Sequence, residues 1–134
     1  MKKSIAVVAA CLFVAACSGQ QQVEPQPGEV VLDGATHTAQ STVCGQDEWL
    51  LRIESKAGPT ESRAYLRLDG EAPSVDNVTI ASPEGFNGTA GAGVGSVEAT
   101  VAQGIYTISG TAEGFDRDMP GEKRSAQFRI EAPC

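Results

Sequence analysis

Four cysteines carry most of the chemistry open to this 134-residue sequence. A thiol can take a lipid, join a second thiol or hold a metal. Cys11 and Cys17 sit in an apolar N-terminal run, each preceded by Val-Ala-Ala, while Cys44 and Cys134 lie far apart in the remainder. His37 is the single histidine, with Ser41 close by in a Thr-rich run. A Ser-His-Asp device would need that histidine, but neither residue sits in a strained elbow of the G-x-S-x-G kind. His37 therefore reads as a surface strand residue. Asp116, Asp118 and Glu122 in "FDRDMPGE" invite a calcium-loop reading, but Met119-Pro120 replaces the middle of the required pattern. A solvated acidic loop is expected there. The stretch "GFNGTAGAGVG", Gly85 to Gly95, lacks the Gly-Lys-Ser/Thr ending of a phosphate loop and is expected to be a flexible loop or irregular edge strand.

The N-terminus separates its two cysteines. Met1-Lys2-Lys3 is basic, and Ile5 to Ala16 is apolar and uncharged. A bilayer-spanning helix needs about 20 apolar residues. A basic start, a short apolar core and small residues before a processing point instead make a secretory signal. Val14-Ala15-Ala16-Cys17 resembles a bacterial lipobox, in which a peptidase cuts before a lipid-modified cysteine. Val8-Ala9-Ala10-Cys11 fits the same pattern, but cleavage there leaves an apolar core of only about six residues, against roughly 7–15 for a signal. It would also leave Leu12-Phe13-Val14 near the new terminus, whereas polar Ser18-Gly19-Gln20 follows Cys17. Residues 1–16 are thus read as a lipoprotein signal peptide and Cys17 as the lipidation site. Residues 17–28 form a lipidated cysteine plus flexible tether, since "SGQQQVEPQPG" holds two prolines and nothing to build a core. Residues 29–134 form one domain.

Composition narrows the function. The formal charge is −7, and loss of Lys2 and Lys3 takes it to −9. An acidic domain suits neither nucleic acid, which calls for a basic patch, nor anionic lipid headgroups. No second apolar run is long enough to cross a membrane, so attachment rests on Cys17. Cys44 and Cys134 remain as an even pair in an exported, oxidising setting, and a disulfide between them is expected. A redox pair or metal site is the alternative, without a C-x-x-C motif or a histidine near either cysteine in sequence.

These groups would have to be positioned by strands. Val30-Val31-Leu32 runs into Asp33-Gly34; Thr36 to Cys44 is one Thr/Val-rich run; Trp49, Leu51 and Ile53 alternate with Leu50, Arg52 and Glu54. Tyr65, Leu66 and Leu68 lead to a second Asp-Gly turn at Asp69-Gly70, and Val75, Val78 and Ile80 form a further apolar set. Val97, Ala99 and Val101, then Gln103-Gly104, then Ile105 to Ile108 make the clearest hairpin. Gln127 to Glu131 alternates strictly. No window carries a capped helical period. The expectation is all-β: a small antiparallel sandwich or partly open barrel with one disulfide.

Three segments, "EVVLDGATHTAQSTVC", "GIYTISGTAEGFD" and "SAQFRIEAPC", resemble the mycobacterial nineteen-kilodalton lipoprotein antigen family. The likeness runs in order from Val30 to Cys134 and departs between Gln46 and Asn77, where this chain carries Trp49, Arg52, Arg63 and Arg67. It implies an exported, lipid-anchored actinobacterial envelope protein with a mostly β domain and a bridge between the positions of Cys44 and Cys134. It also implies host recognition through the acylated N-terminus by Toll-like receptor 2. No catalytic residue, cofactor or metal ligand comes with it. The favoured function is therefore a surface lipoprotein displaying a β domain for an apolar ligand or an envelope or host protein. An envelope hydrolase using two carboxylates about 5–10 Å apart and a phage receptor or exclusion factor are the alternatives.

Overall fold

Buried and more exposed residues alternate from Leu50 to Ala57, from Thr60 to Arg67 and from Ser125 to Ala132, so each of these segments has one dry and one wet face. The computed structural model describes residues 27–134. The signal peptide, Cys17 and nearly all of the tether lie outside the described residues. Ten strands follow one another: β1 (Glu29–Leu32), β2 (Ala35–Thr38), β3 (Ser41–Asp47), β4 (Leu50–Ala57), β5 (Thr60–Arg67), β6 (Ser74–Ala81), β7 (Phe86–Ala90), β8 (Ser96–Ala102), β9 (Ile105–Asp116) and β10 (Arg124–Pro133). No helix occurs among the described residues.

All pairings are antiparallel, in the order β2-β1-β10-β9-β7-β6-β5-β4-β3, with β8 also on β9. The two strands at opposite ends of this order, β2 and β3, are joined by only Ala39 and Gln40. A link that short cannot cross a flat sheet of this width, since a chain spans at most about 3.6 Å per residue. The sheet must curl. Ala39 N–H donates to the Gly28 carbonyl and Gln40 N–H to that of Lys56, each at 2.7 Å, so the link touches both walls. The result is a partly open barrel, one of the two expected architectures.

Its interior is aliphatic. Val30, Leu51, Ile53, Leu66, Val78, Ile80, Ile108, Phe128 and Ile130 are buried, with Ala57, Ala64, Ala90, Ala112, Ala126 and Ala132 where walls close in. Each large side chain removed from water contributes roughly 1.5–3 kcal/mol. The alternation read in β4 and β10 falls as expected: Leu51 and Ile53 point in and Arg52 out, and Phe128 and Ile130 point in and Gln127 and Arg129 out. Asp33-Gly34 and Gln103-Gly104 are two-residue turns with positive φ at both positions (50° and 81°, 52° and 76°), matching the twist of their hairpins.

Four expectations are corrected. The run Thr36 to Cys44 is two strands, bent at Ala39-Gln40 so that its first half pairs with β1 and its second with β4. Trp49 does not share the buried face of Leu51 and Ile53; it sits in the β3–β4 turn, 64% exposed. Asp69-Gly70 is not a two-residue turn but part of a longer link that ends at Pro73. Gly85 to Gly95 is a loop only in its second half, and its first half is not an edge. Its first half is β7, paired on both sides within the sheet, and Gly91 to Gly95 bulges out before β8 resumes on β9. Glycine is needed in β7 because a Cβ on Gly88 would lie 2.7 Å from the Glu113 carbonyl oxygen and 2.5 Å from the Phe86 ring.

Candidate functional site

The groups singled out for chemistry are spread over the barrel. Cys44 on β3 and Cys134 just after β10 form a disulfide, with Cα atoms 5.9 Å apart across 90 residues of sequence. Cys44 is held by the β3–β4 ladder opposite Ile53, and Cys134 N–H donates to Gly104 O at 2.9 Å. β3 and β10 do not pair, so the bridge closes a seam that backbone hydrogen bonds leave open. It takes the structural role. No three His, Cys, Asp or Glu side chains converge as a metal site among the described residues.

His37 lies half-buried on β2 across from Val30, with its Nδ1 3.6 Å from where a Cβ on Gly58 would be. Ser41 is exposed at the start of β3, beyond the bend. No hydrogen bond joins the two among the described residues.

The acidic loop does not assemble either. Asp116 accepts from Arg124 Nη1 at 2.6 Å, while Asp118 and Glu122 stay exposed. Met119 N–H donates to Asp116 O, and Glu122 N–H to Met119 O, so backbone turns shape the segment. Arg124 was not legible as a key residue. Its Nη2 also pairs with Asp33, more than ninety positions earlier, and its guanidinium lies 5.4 Å from the Phe86 ring centroid. One cation thus ties the β1–β2 turn to the ends of β7, β9 and β10. Asp33 and Asp116 are brought together on that cation, which occupies the space two catalytic carboxylates would leave for a substrate.

Other carboxylates are similarly engaged on the outer faces. Glu54 pairs with Arg63 at 2.8 Å and Arg52 at 3.9 Å, Asp76 with Arg67 at 3.0 Å, Glu61 with Lys56 at 3.5 Å and Glu113 with Lys123 at 3.6 Å. Arg129 pairs with Glu131, whose hydrogen bond and charge raise the Arg129 pKa above its ordinary value. The depressions that can be described lie outside the barrel. One of about 360 Å³ over β4–β6 is lined by Glu54, Lys56, Glu61, Arg63 and Tyr65, and one of about 450 Å³ lies over β1, β9 and β10. Neither is the apolar cavity between walls that a buried lipid would occupy.

Inside, sequence reasoning missed a row of hydroxyls. Thr42, Ser55 and Ser62 are cross-strand neighbours on β3, β4 and β5, and Thr60 and Ser82 share a buried 2.9 Å hydrogen bond. Ser55 Oγ and Thr42 Oγ1 are buried without a partner among the described residues. These polar residues on the inward face are why the first half of β5 gave no apolar alternation.

With strands, bridge and clamp in place, comparison of the whole chain becomes decisive. Residues 21–134 match the family described as Mycobacterium 19 kDa lipoprotein antigen. The chain belongs to that family. Among its relatives, the probable lipoprotein LppE of Mycobacterium tuberculosis is 33% identical over 129 residues, covering 96% of this chain and 91% of that protein. A putative lipoprotein of Mycobacterium avium subsp. hominissuis is 31% identical over 134 residues, covering 97% and 92%. Lipoprotein LpqH of Mycobacterium tuberculosis is 32% identical over 109 residues, covering 79% and 68%. The 19 kDa antigen family is one of membrane-anchored envelope lipoproteins and is not a known enzyme family. The resemblance carried by the three sequence segments is therefore correct, and the disulfide it implied is present.

Proposed function

We propose that this 19 kDa-antigen-family protein is anchored through an acylated Cys17 on the extracytoplasmic face of the membrane. Its β domain is held out as a module that binds a ligand or another envelope or host protein. The observation that carries the reading is the order of parts along one chain. A lipobox-like Val14-Ala15-Ala16-Cys17 directly precedes a family match that begins at residue 21. The Cys44–Cys134 disulfide supports export, because such bridges persist in oxidising compartments. The tether from Ser18 to Gly28 would reach roughly 34 Å if extended at about 3.1 Å per residue. That length clears the headgroups. Toll-like receptor 2 recognition of the acylated terminus belongs to the same reading. An outward surface of paired charges, with the described depressions on the outside, favours contact with another macromolecule over enclosure of a lipid.

Intact mass of the membrane-extracted protein, with and without reduction, tests this. The expected species begins at a di- or triacylated Cys17 and gains two hydrogens on reduction. A chain that keeps Met1, or starts at an unmodified residue, overturns the anchor.

A further inference from the structure

Strands β4 to β7 each have a hydrogen-bonded neighbour on both sides, and their outward residues fall in rows across the sheet. Lys56, Glu61 and Ala81 make one row, Glu54, Arg63 and Thr79 the next, and Arg52, Tyr65 and Asn77 a third. Long side chains stand on β4 and β5, and the short Thr79 and Ala81 lie beside them on β6. The step between them makes the depression of about 360 Å³, with Thr79 and Ala81 as floor and Arg63 and Tyr65 as wall. It is more enclosed than the other depressions that can be described. Ligand pockets start at about 300 Å³, so the cleft is large enough to hold part of a ligand chain.

The charges on its rim cancel in pairs. Glu54 pairs with Arg63 at 2.8 Å and Lys56 with Glu61 at 3.5 Å, each pair directly across the β4–β5 ladder. Arg52, opposite Tyr65, does not line the cleft. The rim therefore offers two donors and two acceptors with no net charge, in a chain of formal charge −7. Pairing also holds these long side chains in place, which lowers the ordering cost of binding. Tyr65 is half-buried. A tyrosine ring supplies a flat, rigid surface with only two torsions to fix.

We propose that this cleft binds a neutral saccharide, taking about one or two sugar rings of a longer chain. A sugar ring has a C–H face, which Tyr65 and Ala81 can cover, and a rim of hydroxyls that each donate and accept. Arg63 and Lys56 donate to such a rim, and Glu54 and Glu61 accept from it. Other ligand classes fit less well. A peptide that extends a sheet needs a free strand edge, and none of β4 to β7 has one. An acyl chain needs an enclosed apolar space, and this cleft is open with a charged rim. An ionic ligand would have to part an ion pair that is already satisfied. Trp49 is a second exposed ring, but its depression of about 220 Å³ sets Asp47, Glu48 and Asp69 against the single cation Arg67. The assignment rests on the display reading above in giving the β domain a ligand, and the acylated terminus plays no part in it.

The test titrates full-length protein, extracted from membranes in a sugar-free detergent, into fluorescently labelled cellohexaose, maltohexaose, mannohexaose and xylohexaose, with oligogalacturonate as the anionic comparison and polarisation as the readout. At least one neutral chain should bind, and added salt should leave its affinity unchanged, because screening acts on charge. Tyr65→Ala should weaken binding about tenfold through loss of the flat ring, and Tyr65→Phe should not. Ala81→Gln places a longer side chain on the floor from an exposed position, away from the core, and should weaken binding as much. Trp49→Ala should change nothing. Three results each overturn the saccharide site and leave the anchor standing: no neutral chain binds, binding survives both Tyr65→Ala and Ala81→Gln, or only oligogalacturonate binds and is lost in salt. A mass showing unmodified Cys17 in the same preparation overturns the anchor and leaves the result for the cleft intact.

Discussion

At the scale of single residues, cysteines and one arginine do distinct work. Cys17→Ala should move the protein from the membrane to the soluble fraction, because stable anchoring takes more than one acyl chain; fractionation and immunoblotting read this. Cys44→Ser should lower unfolding free energy by about 4–5 kcal/mol, the chain-entropy value for a loop of this length. Cys134→Ser should do the same, and the double variant should be no worse, because the same bridge is lost; denaturant titration of all three checks this. Arg124→Ala removes two partly exposed ion pairs and a ring contact. Exposed pairs are worth about 0–1 kcal/mol each and the ring contact about 0.5–1. A loss of about 1–2 kcal/mol is expected by the same titration. Ser55→Ala should leave stability unchanged or raise it slightly. It deletes a buried hydroxyl without a partner, whereas a buried aliphatic change such as Ile53→Ala should cost about 2–5 kcal/mol.

Elements show where local sequence sufficed. Gln103-Gly104 and Asp33-Gly34 declare their hairpins because positive φ at two adjacent positions restricts which residues fit. Asp69-Gly70 carries the same signal but lies within the link from Leu68 to Pro73 between the paired Arg67 and Ser74, and neither residue takes the positive φ of a two-residue hairpin turn. A bulge opposite Tyr65 and Leu66 leaves Asp76 out of the β5–β6 backbone ladder, though its carboxylate still pairs with Arg67, and shifts Val75 and Val78 onto one face despite their odd spacing. The glycine-rich stretch misled because glycines usually mark freedom, while here they mark contact. Gly91 has φ of 102°, and a Cβ would lie 2.6 Å from Asp76 O. Gly91→Ala should therefore destabilise by about 1–3 kcal/mol, with strain and steric clash both acting. Thermal melting of this variant beside Gly93→Ala, whose added Cβ meets nothing within 4 Å, separates the two costs.

At the largest scale, residues 27–134 form a curled sheet whose end strands β2 and β3 are joined by the two-residue bend Ala39-Gln40, with one disulfide across the remaining seam. What the sequence alone determined was local or countable. The all-β class followed from period-two alternation. The expectation of a bridge followed from cysteine parity in a chain read as exported, and the structure contains that bridge. What only the tertiary structure decided depends on residues far apart in the chain. The alternation in β2 and β3 does not say that the two strands pair with opposite ends of the sheet. Nothing near Asp33 announces Arg124, and nothing near Gly88 announces the Glu113 carbonyl. Periodicity tells each residue which face it takes, because that follows from the backbone repeat. Strand order is set by which faces, closed together, bury the most apolar surface, and that is a property of the entire chain.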